Sequence, residues 1–258
     1  MDHQKCFSYY MYFFFILFIT FPHSIPARNM PATTGRLDST TQSQVMTPRC
    51  GVPDNNGLHT TKHYSLVEGR RTWGHSTPCP TWDHSPPLTL TYALSPTHTI
   101  HYLKASDIRA ALERAFKRWS SVIPVNFIET QDYKHANIRI GFYNGDHGDG
   151  VPFGETVLAH ASGPISGNLH FNAGCKWAVD FESEKSEVVF DLESVALHEI
   201  GHVLGLGHSS IPEAVMWFGG LTSRTKKLDL TLDDINGAQF LYGVNPNIKL
   251  DSLSYLFF

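Results

Sequence analysis

At 258 residues and 41% hydrophobic content, the chain can bury one sizeable core with smaller attachments. A formal net charge of −4, spread without basic runs, excludes the electrostatic footprint of a nucleic-acid binder. Histidine is abundant at 15 residues, and no internal repeat or low-complexity tract stands out.

In chain order, Tyr9–Phe21 is an apolar run too short to span a bilayer comfortably, preceded by a polar start with Lys5 and followed by Ser24 and Ala27. Residues 1–26 therefore read as a secretory signal peptide, with an uncleaved membrane anchor as the alternative. Residues 55–81, rich in Gly, Pro, His and Thr, read as a linker where an activating protease would cut. A folded domain is expected at 82–243. Within it Leu88–Leu94 alternates like a strand. Ser106 can cap a helix whose Ile108, Leu112, Ala115, Phe116 and Trp119 form one apolar stripe. Val125–Ile128, Ile138–Phe142 and the segments around His160 and His170 read as strands, and Asp191–Leu204 as a helix. Thr231 and Asp234 suit the capping box of a last helix, and residues 244–258 form a short, partly apolar tail. Strands interleaved with helices in this order give an α+β class.

The run His198-Glu199-Ile200-Gly201-His202-Val203-Leu204-Gly205-Leu206-Gly207-His208 lies in the helix predicted over Asp191–Leu204 and just beyond it. His198 and His202, one turn apart on one face, can grip a single metal ion. Glu199 beside them can take a proton from water activated by that ion. Gly205 allows a sharp change of direction, so that His208 returns as a third ligand. Three neutral nitrogens leave one tetrahedral position open, the arrangement of a catalytic rather than a structural zinc. The short His-Glu-x-x-His pattern alone is as readily an exposed helix face; requiring Gly205 and His208 lowers the odds of coincidence by roughly a few hundredfold. Met216, shortly after His208, is expected to form a floor beneath the metal.

The extended pattern with its methionine resembles the metzincin zinc endopeptidases, and within them the matrixins, or matrix metalloproteinases, most of all plant members without a C-terminal propeller domain. Pro48–Asp54 (Pro-Arg-Cys-Gly-Val-Pro-Asp) is similar to the cysteine switch of that family. His147–Phe153, Leu158–Ala161 and Leu169–Phe171 are similar to its second metal site, Ser194–Leu197 to the lead into the zinc helix, and Asp233–Gly243 to the closing helix. The resemblance implies a metzincin-type catalytic domain at 82–243 with a five-stranded mixed sheet and three helices. It implies a catalytic Zn2+ on His198, His202 and His208 with Glu199 as catalytic residue, and a structural Zn2+ on His147, Asp149, His160 and His170. It implies a secreted, monomeric endopeptidase acting on extracellular protein or peptide substrates in the cell wall or matrix. Substrate would lie as an added strand along the edge near Leu158–Ala161. A hydrophobic pocket would set specificity, with Trp217-Phe218-Gly219-Gly220 in its wall and Ser194, one turn before His198, small where a bulkier residue can block it in some relatives.

Residues 27–54 then correspond to a shortened propeptide, with its last helix at Gly35–Met46, Cys50 as the fourth zinc ligand of a latent zymogen, and Arg49 paired with Asp54. A short remnant lowers the effective concentration of Cys50 at the zinc, so leaky latency is expected. For Ca2+ the chain departs from the family. Gly154, Asn172 and Cys175 stand where relatives usually carry Asp, Asp and Glu, and Asn137 and Asn168 where Asp is common. Ca2+ prefers several charged oxygens, so weak or absent calcium and a looser loop between Phe153 and His160 are expected. Cys6 would leave with the signal, and Cys79 and Cys175 remain as a candidate disulfide of an oxidising compartment. The alternatives are a catalytically impaired secreted binding protein of the same fold, and the same enzyme tethered by its N-terminal segment.

Overall fold

The structure, a computed structural model, describes residues 47–53, 57–59, 63–67, 72–73, 87–164, 166–219 and 221–247. The expected signal peptide, the propeptide helix, Cys6, Asp54, Cys79 and the tail beyond Asn247 lie outside the described residues.

The core forms where a helix stripe meets a sheet face. In α1 (Ala105–Val122) Ile108, Ala111, Leu112, Ala115, Phe116, Trp119 and Val122 recur at helical steps and are all buried. The flanking strands β4 (Leu88–Leu94) and β5 (Val125–Glu129) pair parallel, and α1 is the crossover that such a pair requires. Phe116 ties helix to sheet, its ring 4.3 Å from that of Tyr92 and 4.7 Å from that of Phe127. The cap expected at Ser106 is displaced: Lys104 is the N-cap without a side-chain bond, and Ser106 donates to Asp107 instead. Burial of the apolar stripe, rather than a cap, fixes where this helix starts.

β6 (Ile138–Tyr143), β7 (Val157–Ala161) and β8 (Asn168–Asn172) complete the expected five strands, in the order β7-β8-β6-β4-β5. β7 runs antiparallel to β8 and the other neighbours are parallel, so the sheet is mixed. The main sheet nevertheless has six strands, because β1 (Arg49–Cys50) pairs parallel with β7 at its free edge. An open edge exposes a row of unpaired N–H and C=O groups. Here Arg49 N–H donates to Thr156 O and Gly51 N–H to Ala159 O, at 2.9 and 2.8 Å.

Part of the stretch read as a linker is ordered against the same domain. β2 (Gly57–His59) and β3 (Ser65–Val67) form an antiparallel hairpin, and Leu66 bridges to Leu206. Trp73 is buried and donates its Nε1–H to Val203 O at 2.9 Å. A short parallel pair, β9 (Trp177–Ala178) and β10 (Phe190–Asp191), leads into α2 (Leu192–Val203). Asp191 caps α2 by accepting Ser194 N–H, and Trp119 of α1 donates to Leu197 O, locking the two helices together. α3 (Leu232–Tyr242) carries the expected capping box of Thr231 and Asp234 with both reciprocal bonds formed.

Candidate functional site

α2 positions the first two histidines, and a glycine between them brings other elements close. A methyl group on Gly201 would collide with Met216 Sδ and crowd Trp119, so only glycine lets the methionine press against this turn. Met216 is buried against the helix turn that carries the two histidines. Past α2, Gly205 adopts φ 103°, donates to His202 O and turns the chain back. His208 returns with its Nε2 3.2 Å from that of His202, and His198 Nε2 lies 3.2 Å from the same atom.

The tautomers follow from the other ring nitrogens. His198 Nδ1 donates to Val215 O at 2.7 Å and His202 Nδ1 to Leu206 O at 2.8 Å. Their Nε2 atoms therefore carry lone pairs and face one another without a proton between them. Burial pushes His198 down to about 3 and His202 down to about 4, so both rings are neutral at physiological pH. Converging lone pairs repel unless a cation sits among them. Two nitrogens bound at about 2.0–2.1 Å to a tetrahedral ion stand about 3.3 Å apart, so the spacing fits zinc. Cys50 Sγ, 3.4 Å from His202 Nε2, completes a group with the three histidines in which all ligand atoms lie within 4.8 Å of one another.

Glu199 is fully buried between these ligands, and neither of its oxygens has a hydrogen bond of good geometry. Burial raises its carboxyl to about 8, the Cys50 thiol beside it pulling the other way. A buried carboxyl whose neighbour among the described residues is only a weakly bonding thiol is costly, and its place beside the histidines suits a group that meets a reactant.

The second group assembles as expected from His147, Asp149, His160 and His170. Asp149 Oδ2 lies 3.0, 2.7 and 3.0 Å from His147 Nε2, His160 Nε2 and His170 Nδ1. His147 Nδ1 is anchored on Gly145 O, leaving Nε2 for a ligand. Burial opposes ionisation of Asp149, but the Val151 N–H and the His160 ring hold its carboxyl well below the usual range. Burial pushes His170 down to about 4. Four protein donors close the sphere, which suits a structural rather than a catalytic ion.

Several supporting contacts had no sequence signal of their own. Asp234 accepts Val215 N–H and Met216 N–H at 2.9 and 3.0 Å, so the carboxylate that caps α3 also holds the carbonyl that orients His198. Asp233 accepts Tyr64 N–H and Ser209 Oγ–H. Ser65 Oγ donates to His208 O at 2.7 Å while Gly207 N–H donates to Ser65 O. The segment carrying the third histidine is thus held by β3. Ser194 is buried, its hydroxyl donating to Asp191 Oδ2 and accepting Lys227 N–H.

A helix-borne histidine pair, a buried glutamate between them and a third histidine beyond a glycine turn define the metallopeptidase class. The matrixin model of the M10 peptidases matches residues 81–243. Metalloendoproteinase 4-MMP of Arabidopsis thaliana is 52% identical over 227 residues, 85% of this chain and 64% of that protein. Metalloendoproteinase 1-MMP of the same plant is 50% identical, covering 86% of this chain and 60% of that protein. Human neutrophil collagenase is 34% identical over 83% of this chain and 41% of its own length. The chain therefore belongs to the matrixin family, whose members use zinc, and it spans 64% or less of the length of these relatives.

Proposed function

We propose that this chain is a secreted zinc endopeptidase that cleaves extracellular proteins and is made latent by Cys50. The observation that carries the reading is the convergence of three histidine Nε2 atoms, two of them with lone pairs fixed by their Nδ1–H bonds, beside the buried Glu199. His198, His202 and His208 would hold the catalytic zinc, and His147, Asp149, His160 and His170 a structural one. Zinc at the first site supplies Lewis-acid chemistry, polarising an amide carbonyl and acidifying water. Glu199, in its carboxylate form, would take the proton from the attacking water and pass it to the departing amine. His198 and His202 stay fixed because their Nδ1–H groups are held by backbone carbonyls.

The β7 edge supports strand-like binding of a peptide, since β1 already uses its backbone groups. β1 also delivers Cys50 to the fourth position, where a thiolate would exclude water until the segment is cut away. The apolar run at Tyr9–Phe21 supports export into the wall or matrix space.

The test is hydrolysis of quenched peptides by the zinc-reloaded chain after proteolytic trimming. Glu199→Ala should retain zinc and fold but lose at least about a hundredfold in kcat/KM. Wild-type-like turnover in that variant defeats the assignment. A zinc-loaded wild-type chain that binds peptides without cutting them makes it a binding protein instead.

A further inference from the structure

The Phe153–His160 loop, expected to be looser for want of charged calcium ligands, is tied by a donor where a cation would sit. Asn172, at the end of β8 and buried, donates its Nδ2–H groups to Val157 O at 2.8 Å and Gly154 O at 3.3 Å. The orientation of this amide is fixed, because Gly174 N–H donates to Asn172 Oδ1 at 2.9 Å. Asn172 is itself anchored through its carbonyl, which accepts Trp177 Nε1–H and Cys175 N–H. Each of these carbonyls spends one of its two lone pairs on the amide, and the NH2 group itself fills the space between them that a shared ion would need.

The other end of β7 is treated alike. The Arg139 guanidinium donates to Asn168 Oδ1 through Nε at 3.1 Å and Nη2 at 2.9 Å, and through Nη2 to Ser166 O at 2.9 Å. Asn137, the remaining neutral substitute, accepts Thr91 N–H and Thr91 Oγ–H. A fixed positive charge on the turn after β7 repels a divalent ion, and the amides bring no charge to attract one. Ca2+ therefore does not fit either place.

We propose that Asn172 and Arg139 replace calcium as the braces at the two ends of β7, so that the substrate edge and His160 are positioned without this ion. The inference rests on the matrixin reading for the role of β7, but its test reads stability and loop protection, which do not depend on turnover.

The full chain is stripped of metal and reloaded with zinc alone or with zinc and CaCl2 at about 10 mM, well above the range for weak extracellular sites. Thermal unfolding and amide exchange are then followed. For wild type, Tm and the protection of residues 154–158 and 162–168 should be the same in both conditions. In Asn172→Asp the carboxylate faces two carbonyls; with zinc alone Tm should fall by about 5 °C, protection at Val157 should drop, and CaCl2 should restore both. In Arg139→Met protection at 162–168 should fall with zinc alone. A wild-type Tm raised several degrees by CaCl2, with added protection at either loop, overturns the proposal. An Asn172→Asp variant that matches wild type with zinc alone, or ignores CaCl2, overturns it as well.

Discussion

Gly201 shows how a single missing methyl group builds a site. Its helix turn lies between two metal-binding histidines, and the space an alanine would fill is already taken by Met216 and Trp119. Alanine is the better helix former by about 1 kcal/mol, but overpacking a closed core costs about 1–3 kcal/mol and wins. Gly201→Ala is expected to lower stability by about 1–2 kcal/mol, a Tm fall of about 3–6 °C for a domain of this size, with weakened zinc retention. An unchanged melting curve and metal content would show that the methionine is not pressed on the helix. At this scale much of the site was legible in the chain: His198, His202, His208 and Glu199 were named from spacing and the second set from the family resemblance, and the structure brings the ligand atoms of each histidine set together. Asp234 as brace of Val215 and Met216 was not, because its two backbone donors lie 19 and 18 residues away and carry no side-chain signal.

At the scale of elements, periodicity found what periodicity governs. The α1 stripe, the α3 capping box and five strands were all readable, since each buries a regular face or satisfies a helix end locally. β1 was not, because two residues have no period and become a strand only by meeting the edge of β7. That pairing is made by backbone, whereas Cys50 contributes the sulfur. Cys50→Ser should therefore keep β1 in place while exchanging a soft thiolate for a poor zinc ligand. The uncut variant is expected to hydrolyse a reporter peptide at least about tenfold faster than the uncut wild type. Equal rates before trimming would mean that steric cover by β1, not the thiol, enforces latency.

Across the whole molecule each histidine cluster gathers side chains from several elements. One joins α2, the turn after it and β1; the other joins the loop before Phe153 to β7 and β8. An ion binding only the folded chain stabilises it by mass action, about 4 kcal/mol at a thousandfold excess over Kd. Stripping metal is expected to lower Tm by about 10 °C, and zinc should restore it. A chelated protein that melts like the untreated one would mean that neither histidine cluster holds an ion. Composition and motif order were enough for the overall class, but not for the fastening of residues 63–67, whose partners lie some 140 positions away.

That fastening sets a limit on how far the N-terminal side can be shortened. A nick among residues 54–62 releases the thiol yet leaves β3 bound under the segment of His208, whereas one just beyond Val67 detaches both at once. If the chain is matured by removal of the Cys50 segment, as proposed, the bonds whose cleavage would spare β3 lie only a few residues from those whose cleavage would remove it. Where the first scission falls would then decide whether the segment of His208 keeps the support of Ser65.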